Sequence, residues 1–113
     1  MSLWGGDMRA TLHLRRFLRM EDHGRRPVYG EPEAHPCRWE PGARRVQDVS
    51  GRQVVGQGTL YTTAEVTPDE LPRLLLWLPG DNPAGDNRSR KALQVYVRTD
   101  LETGAFDHCE VVL

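Results

Sequence analysis

Residues 46–66 constrain this chain more than any other stretch. Asp48-Val49-Ser50-Gly51-Arg52 has turn chemistry: Asp and Ser side chains hydrogen-bond nearby backbone, and Gly51 takes positive φ without steric cost. The flanking runs are rich in Val, Thr, Leu and Tyr, which suit a pleated, half-buried surface. The stretch therefore predicts a β-hairpin whose second strand runs from about 53 to 63. Gly56 and Gly58 within that strand point to a bulge or a close backbone approach. Nothing in the hairpin has the character of a catalyst.

Period-two alternation recurs elsewhere. From Thr11 to Met20, Leu12, Leu14, Leu18 and Met20 share one face and His13, Arg15 and Arg19 the other, with Arg16 and Phe17 as exceptions. Cys37–Glu40 reads as a strand with Cys37 and Trp39 inward, broken or bent at Pro41-Gly42. Leu74–Leu78 is a short apolar run that suits a buried strand. Ala92–Thr99 alternates, placing Leu93, Val95 and Val97 together, and 107–113 makes a last strand. Thr67-Pro68-Asp69-Glu70 suits either the cap of one helical turn or a plain turn. The expected shared core is Leu12, Leu14, Leu18, Trp39, Leu60, Leu76, Leu93, Val95 and Val111.

The expectation is an all-β chain: a small antiparallel β-barrel of about six strands with long loops and an N-terminal arm. Residues 1–9 are the arm and 10–113 the barrel domain. Trp4, flanked by Gly5 and Gly6, has no evident intrachain partner and suits docking on a neighbour. Residues 21–33 and 79–91 read as long polar loops, which usually carry function or mobility.

At 113 residues the chain makes one domain, burying roughly two-thirds of its unfolded surface. Fifteen basic and 16 acidic side chains give a net charge of −1, which favours no polyanionic partner in bulk. Two cysteines are too few for a disulfide framework. No apolar run approaches the ~18–20 residues of a membrane span, so no membrane partner is expected. The opening residues lack a basic region followed by an apolar one, and the expectation is a chain made in a reducing cytoplasm.

His35, Cys37, His108 and Cys109 are the group with metal-ligand chemistry, but their spacing is wrong for a zinc ribbon or finger. Adjacent His108 and Cys109 would also point to opposite faces of a strand. Neither cysteine sits in a nucleophile motif, and Gly56-Gln57-Gly58 lacks the following helix of a phosphate loop. No catalytic residue, metal or cofactor is expected. The basic groups Arg15-Arg16, Arg25-Arg26, Arg44-Arg45, Arg88, Arg90 and Lys91 are offset by Glu21, Asp22, Glu31, Glu33, Asp81 and Asp86. Among them, Arg25 and Arg26 are best placed to approach a DNA backbone.

Tyr29-Gly30-Glu31-Pro32, Pro36-Cys37-Arg38-Trp39-Glu40, Arg44-Arg45-Val46-Gln47-Asp48 and Gly51-Arg52-Gln53-Val54-Val55, taken together, carry a resemblance. Gly58-Thr59-Leu60-Tyr61 and the ending Asp107-His108-Cys109-Glu110-Val111 extend it. The chain resembles the small head-to-tail stopper (head-closure) proteins of long-tailed bacteriophages, particularly those of actinobacterial hosts. The likeness covers residues 11–66 and 105–113. Residues 67–91 depart from it, since relatives have a compact hairpin there, and residues 1–9 have no counterpart.

The resemblance implies a non-enzymatic virion protein at the head–tail interface, assembled in the host cytoplasm. Copies would form a ring, typically hexameric, beneath the portal and its adaptor protein. The ring would close the channel over packaged DNA and join a tail terminator or tail tube protein. On that reading Trp4, Tyr29, Arg44 and Arg45 are candidates for a subunit or partner interface, and the loop with His23, Arg25 and Arg26 faces the DNA channel. The rival readings are an OB- or SH3-like barrel that binds nucleic acid as an isolated module, and a small enzyme built on His and Cys.

Overall fold

The hairpin forms where its turn chemistry places it. In the computed structural model, which describes residues 8–81, 83–84 and 88–113, Asp48 Oδ1 accepts from the Ser50 and Arg52 backbone amides and from the Ser50 hydroxyl. Gly51 takes a φ of +90°. This turn joins strand β4 (Glu33–Gln47) to β5 (Gln53–Thr62). β4 is longer than the Cys37–Glu40 strand expected, because Pro41-Gly42 bends it without ending it. Pro41 pairs with Gly58 and Arg44 with Gly56, so the register shifts between them and the strand resumes beyond a bulge.

Around this hairpin lie β1 (Ala10–Arg15), β6 (Leu75–Trp77), β7 (Gln94–Thr99) and β8 (Phe106–Val112). They make one antiparallel sheet of order β6-β1-β4-β5-β8-β7. The fold is thus the all-β, barrel-like one expected, as a curled six-stranded half-barrel. Its two edges are bridged at one end by the chain itself. Leu76 and Arg90 exchange backbone hydrogen bonds, and three residues later the Leu93 amide donates to Val112 O.

Inside the curl, Leu12, Leu14, Leu60, Leu76, Val95 and Val111 share the core, as alternation predicts. Cys37 and Cys109 join them, both free and buried. Leu71 in the 3-10 helix Pro68–Arg73 and Leu74, its C-cap, also join the core. That helix resolves the two readings of 67–70: the Thr67 amide and hydroxyl both donate to Glu70 Oε2, and Pro68 takes the first helical position. Trp39 is half-buried against the core, and Leu93 is also half-buried.

Two expectations are corrected. Leu18 and Met20 do not join the core and are 57% and 39% exposed. The strand expected from Thr11 to Met20 stops at Arg15, and the backbone leaves the sheet at Arg16. Residues 21–33 are also not a plain loop. Strand β2 (Phe17–Glu21) pairs with β3 (Arg26–Tyr29) as a separate two-stranded ribbon that packs mainly on itself. A ribbon with little behind it leaves its apolar residues in water.

Met8, the first residue described, is buried. Trp4 lies outside the described residues. No helix among the described residues is long and apolar enough to cross a membrane.

Candidate functional site

Two regions contain the residues singled out from sequence: the ribbon, and the outer face of the sheet. The ribbon turns over Asp22, His23, Gly24 and Arg25, with the Arg25 amide donating to Glu21 O and Asp22 O. Asp22 and His23 take φ of 54° and 56° and Gly24 takes 83°, left-handed values that only glycine adopts freely. His23 and Arg25 are exposed at this tip. Arg26 is not free there: it bonds Glu21 and lies 3.7 Å from Asp22. Arg19 also bonds Glu21, so two guanidiniums hold one carboxylate below the ordinary glutamate range.

The base of the ribbon is fastened more firmly. Tyr29 packs edge-on against Phe17, with ring centroids 6.0 Å apart, and is half-buried. Arg73 stacks over the Phe17 ring, 4.5 Å from its centre. Gly30 donates its amide to Arg16 O and accepts from Arg15 Nε. Arg16, where the backbone leaves the sheet, bonds Glu33, Glu70 and the Glu65 carbonyl, at 2.9, 2.5 and 3.0 Å. One side chain thereby ties the exit point to β4 and to the 3-10 helix. Burial raises the Glu70 carboxyl, but Thr67 and Arg16 more than offset it and the net shift is downward.

On the outer sheet face, register lines up Arg38, Tyr61, Glu110 and Tyr96 across β4, β5, β8 and β7. Arg44 reaches into this row. Its Nη1 lies 3.3 Å from Glu110 Oε1, and its guanidinium sits 5.1 Å from the Tyr96 ring centre. Arg98 bonds the other oxygen of Glu110 at 2.6 Å, and Arg38 stacks over Tyr61. Burial raises the Glu110 carboxyl, but Arg98 and Arg44 outweigh it and hold it below its ordinary value. His108, buried beside this row, has Nδ1 2.7 Å from Asp107 Oδ2.

The structure therefore brings Tyr29, His23, Arg25 and Arg26 together on the ribbon. It places Arg44 in an ion-pair and stacking cluster within the chain. Arg45 is exposed on the bulged part of β4. The Glu110 cluster was missed from sequence. Its residues come together only through the register of four strands, which the sequence does not state.

Cys37 and Cys109 lie deep in the core. Burial pushes the Cys37 thiol up to about 11 and raises Cys109 as well, which is the opposite of an activated nucleophile. Among the described residues, no three His, Cys, Asp or Glu side chains converge in a way that would hold a metal.

No protein-family model, curated protein or solved structure matches the chain.

Proposed function

We propose that this chain is a structural protein of a phage head–tail connector, a stopper subunit that works as a ring of copies below the portal and its adaptor. In this reading the ring, hexameric in keeping with the resemblance, closes the channel over packaged DNA and offers a platform to a tail terminator or tail tube protein. The observation that carries the proposal is where the resembling motifs fall. Those of residues 36–61 and 107–111 lie on β4, β5 and β8, three neighbouring strands at the centre of one sheet. Most of the likeness therefore falls on one continuous piece of fold, while its Tyr29–Pro32 motif lies at the base of the ribbon.

The ribbon supports the same reading. A barrel needs only a short link between β1 and β4, yet here the connection is a self-paired arm with a charged tip. Its tip residues His23, Arg25 and Arg26 are the ones we assign to the DNA path. Arg25 is the leading group, because Arg26 already serves Glu21 and Asp22. We keep Trp4 and Arg45 as candidates for contact with neighbouring subunits or partners.

The isolated nucleic-acid module is favoured less by the outer face. Arg38 already stacks on Tyr61, Arg44 and Arg98 on Tyr96, and the Glu110 carboxylate stands between the two rings. A single strand would have to displace those contacts before a base could stack.

The test uses a phage whose genome encodes this chain. Without it, heads should fill, lose DNA and fail to acquire tails, and adding the purified chain should restore tail joining. Infectious tailed particles made without it would remove the proposal.

A further inference from the structure

The curl leaves its core open at one place. Val97 points to the same side of the sheet as Cys109, its partner in register, yet it is 47% exposed because β7 is an edge strand. Beside it lies a cavity of about 240 Å³ lined by Val66, Val97, Phe106 and Cys109, with Glu65 and Thr67 also on its wall. At one end of this opening, the turn after β7 holds Leu101 fully out in solvent, between Asp100 and Glu102. The inner side of a sheet is ordinarily covered. Here an apolar hollow meets water with Glu65 on its wall. The turn from β7 to β8 adds Glu102 to an acidic margin, while the Asp100 carboxylate accepts from the Glu102 and Thr103 amides.

The ribbon has the complementary character. It exposes Leu18 and Met20, and its charges, Arg19, Arg25 and Arg26 against Glu21 and Asp22, leave one positive in surplus. Exposed apolar side chains on a protruding arm and an apolar hollow open to water, within one chain, offer two surfaces that can cover each other. The margin of opposite charge favours that pairing over wrong ones.

We propose that the ribbon of one copy packs over the open β7 edge of a second copy. Leu18 and Met20 cover Val97 and the hollow behind it, while the surplus ribbon charge faces Glu65 and Glu102. The contact joins two different surfaces, and such contacts propagate from subunit to subunit and close into a ring when the rotation allows. The inference rests on the ring of copies proposed above and names the surfaces that would make it. It also leaves the ribbon tip free to extend past the contact.

The experiment is sedimentation of the purified full chain over a concentration series, with two variants. Leu18→Asp with Met20→Asp spoils the ribbon, and Val97→Asp spoils the opening. Circular dichroism and thermal melting establish that each variant is folded, and Val97→Ser replaces Val97→Asp should the latter unfold. The wild type should self-associate and each variant alone should be at least tenfold weaker. An equimolar mixture of the two should recover heterodimers, because one retains the opening and the other the ribbon. A wild type that stays monomeric at every concentration, or a mixture that stays monomeric, overturns the contact. Large assemblies indifferent to both changes also overturn it and leave the ring reading intact. A closed dimer that needs both surfaces keeps the contact and removes the ring.

Discussion

The indole of Trp39 lies against Gly58 across the β4–β5 pairing, so closely that Gly58 has no room for a methyl group. A Cβ at that position would stand 2.7 Å from Trp39 Cζ2 and 2.7 Å from Glu40 O. Gly56 is equally confined, with Val112 Cγ1 at 2.6 Å and Leu113 O at 2.8 Å from such a Cβ. The two glycines let the bulged hairpin lie flat on an indole at one point and on the C-terminal strand at the next.

Gly58→Ala should therefore destabilise the fold by about 1–3 kcal/mol, the usual cost of overpacking a tight site. Trp39→Ala should cost less than the ~3–5 kcal/mol of a fully buried tryptophan, since this one is only half-buried. In the double variant the two costs should fall somewhat short of their sum, because removing the indole relieves its clash with the new methyl while Glu40 O still confines the site. Urea denaturation of the four proteins measures this, and strict additivity would mean that Trp39 is not what confines Gly58.

Leu12 and Leu18 belong to one alternating run in the sequence, but their fates differ. Leu12→Ala should cost about 2–5 kcal/mol, as a fully buried leucine does. Leu18→Ser should stay within about 0.5 kcal/mol of the parent, as exposed positions do. Thermal melts of the two variants check this, and a large loss at Leu18 would mean that the ribbon packs on the barrel.

That contrast shows what was legible. Alternation found much of what the strands bury: Leu12, Leu14, Leu60, Val95 and Val111 all reach the core, while Val46 and Val112, also buried, were not among the residues expected there. Gly56 and Gly58 announced close approach, and Asp48 to Gly51 the turn. The ribbon was not legible because two paired strands with little behind them impose no apolar period, and Pro27 spoke for a loop. Leu71 was missed since a short 3-10 turn containing two prolines has no helical period to read, whereas Leu74, expected in a buried apolar run, is buried just before β6. The ion pairs around Glu110 and Arg16 depend on register between distant strands, which one sequence does not state.

Those ion pairs set the response to acid. Glu33, Glu70 and Glu110 all titrate below the ordinary glutamate value of 4.5 in the folded chain. The unfolded chain then binds more protons at acid pH, so their contribution is fully present above that value and is lost as pH falls through the lowered folded values. Stability from urea denaturation should be level between about pH 5 and 7 and decline below 4.5. Glu110→Gln should shallow the decline, since it removes one of the linked groups. An unchanged slope would show that Arg44 and Arg98 do not hold this carboxylate in solution.

The last prediction separates the ribbon from the barrel. Its base is closed by the Phe17–Tyr29 pair and by the Gly30 amide on Arg16 O, so the chain ends on either side of residues 18–28 are already held together. Replacing 18–28 with an Asn-Gly turn, the favoured two-residue hairpin connection, keeps that closure and removes residues that pack mainly on one another. Loop closure itself costs little more or less for such a change in length. The shortened chain should fold with the parent's far-ultraviolet spectrum and lose no more than about 1 kcal/mol, because the Arg16 contacts to Glu33 and Glu70 remain. Its self-association, measured by sedimentation beside the parent, should disappear. A shortened chain that fails to fold would make the ribbon part of the core structure, and one that still associates would place the subunit contact elsewhere on the barrel.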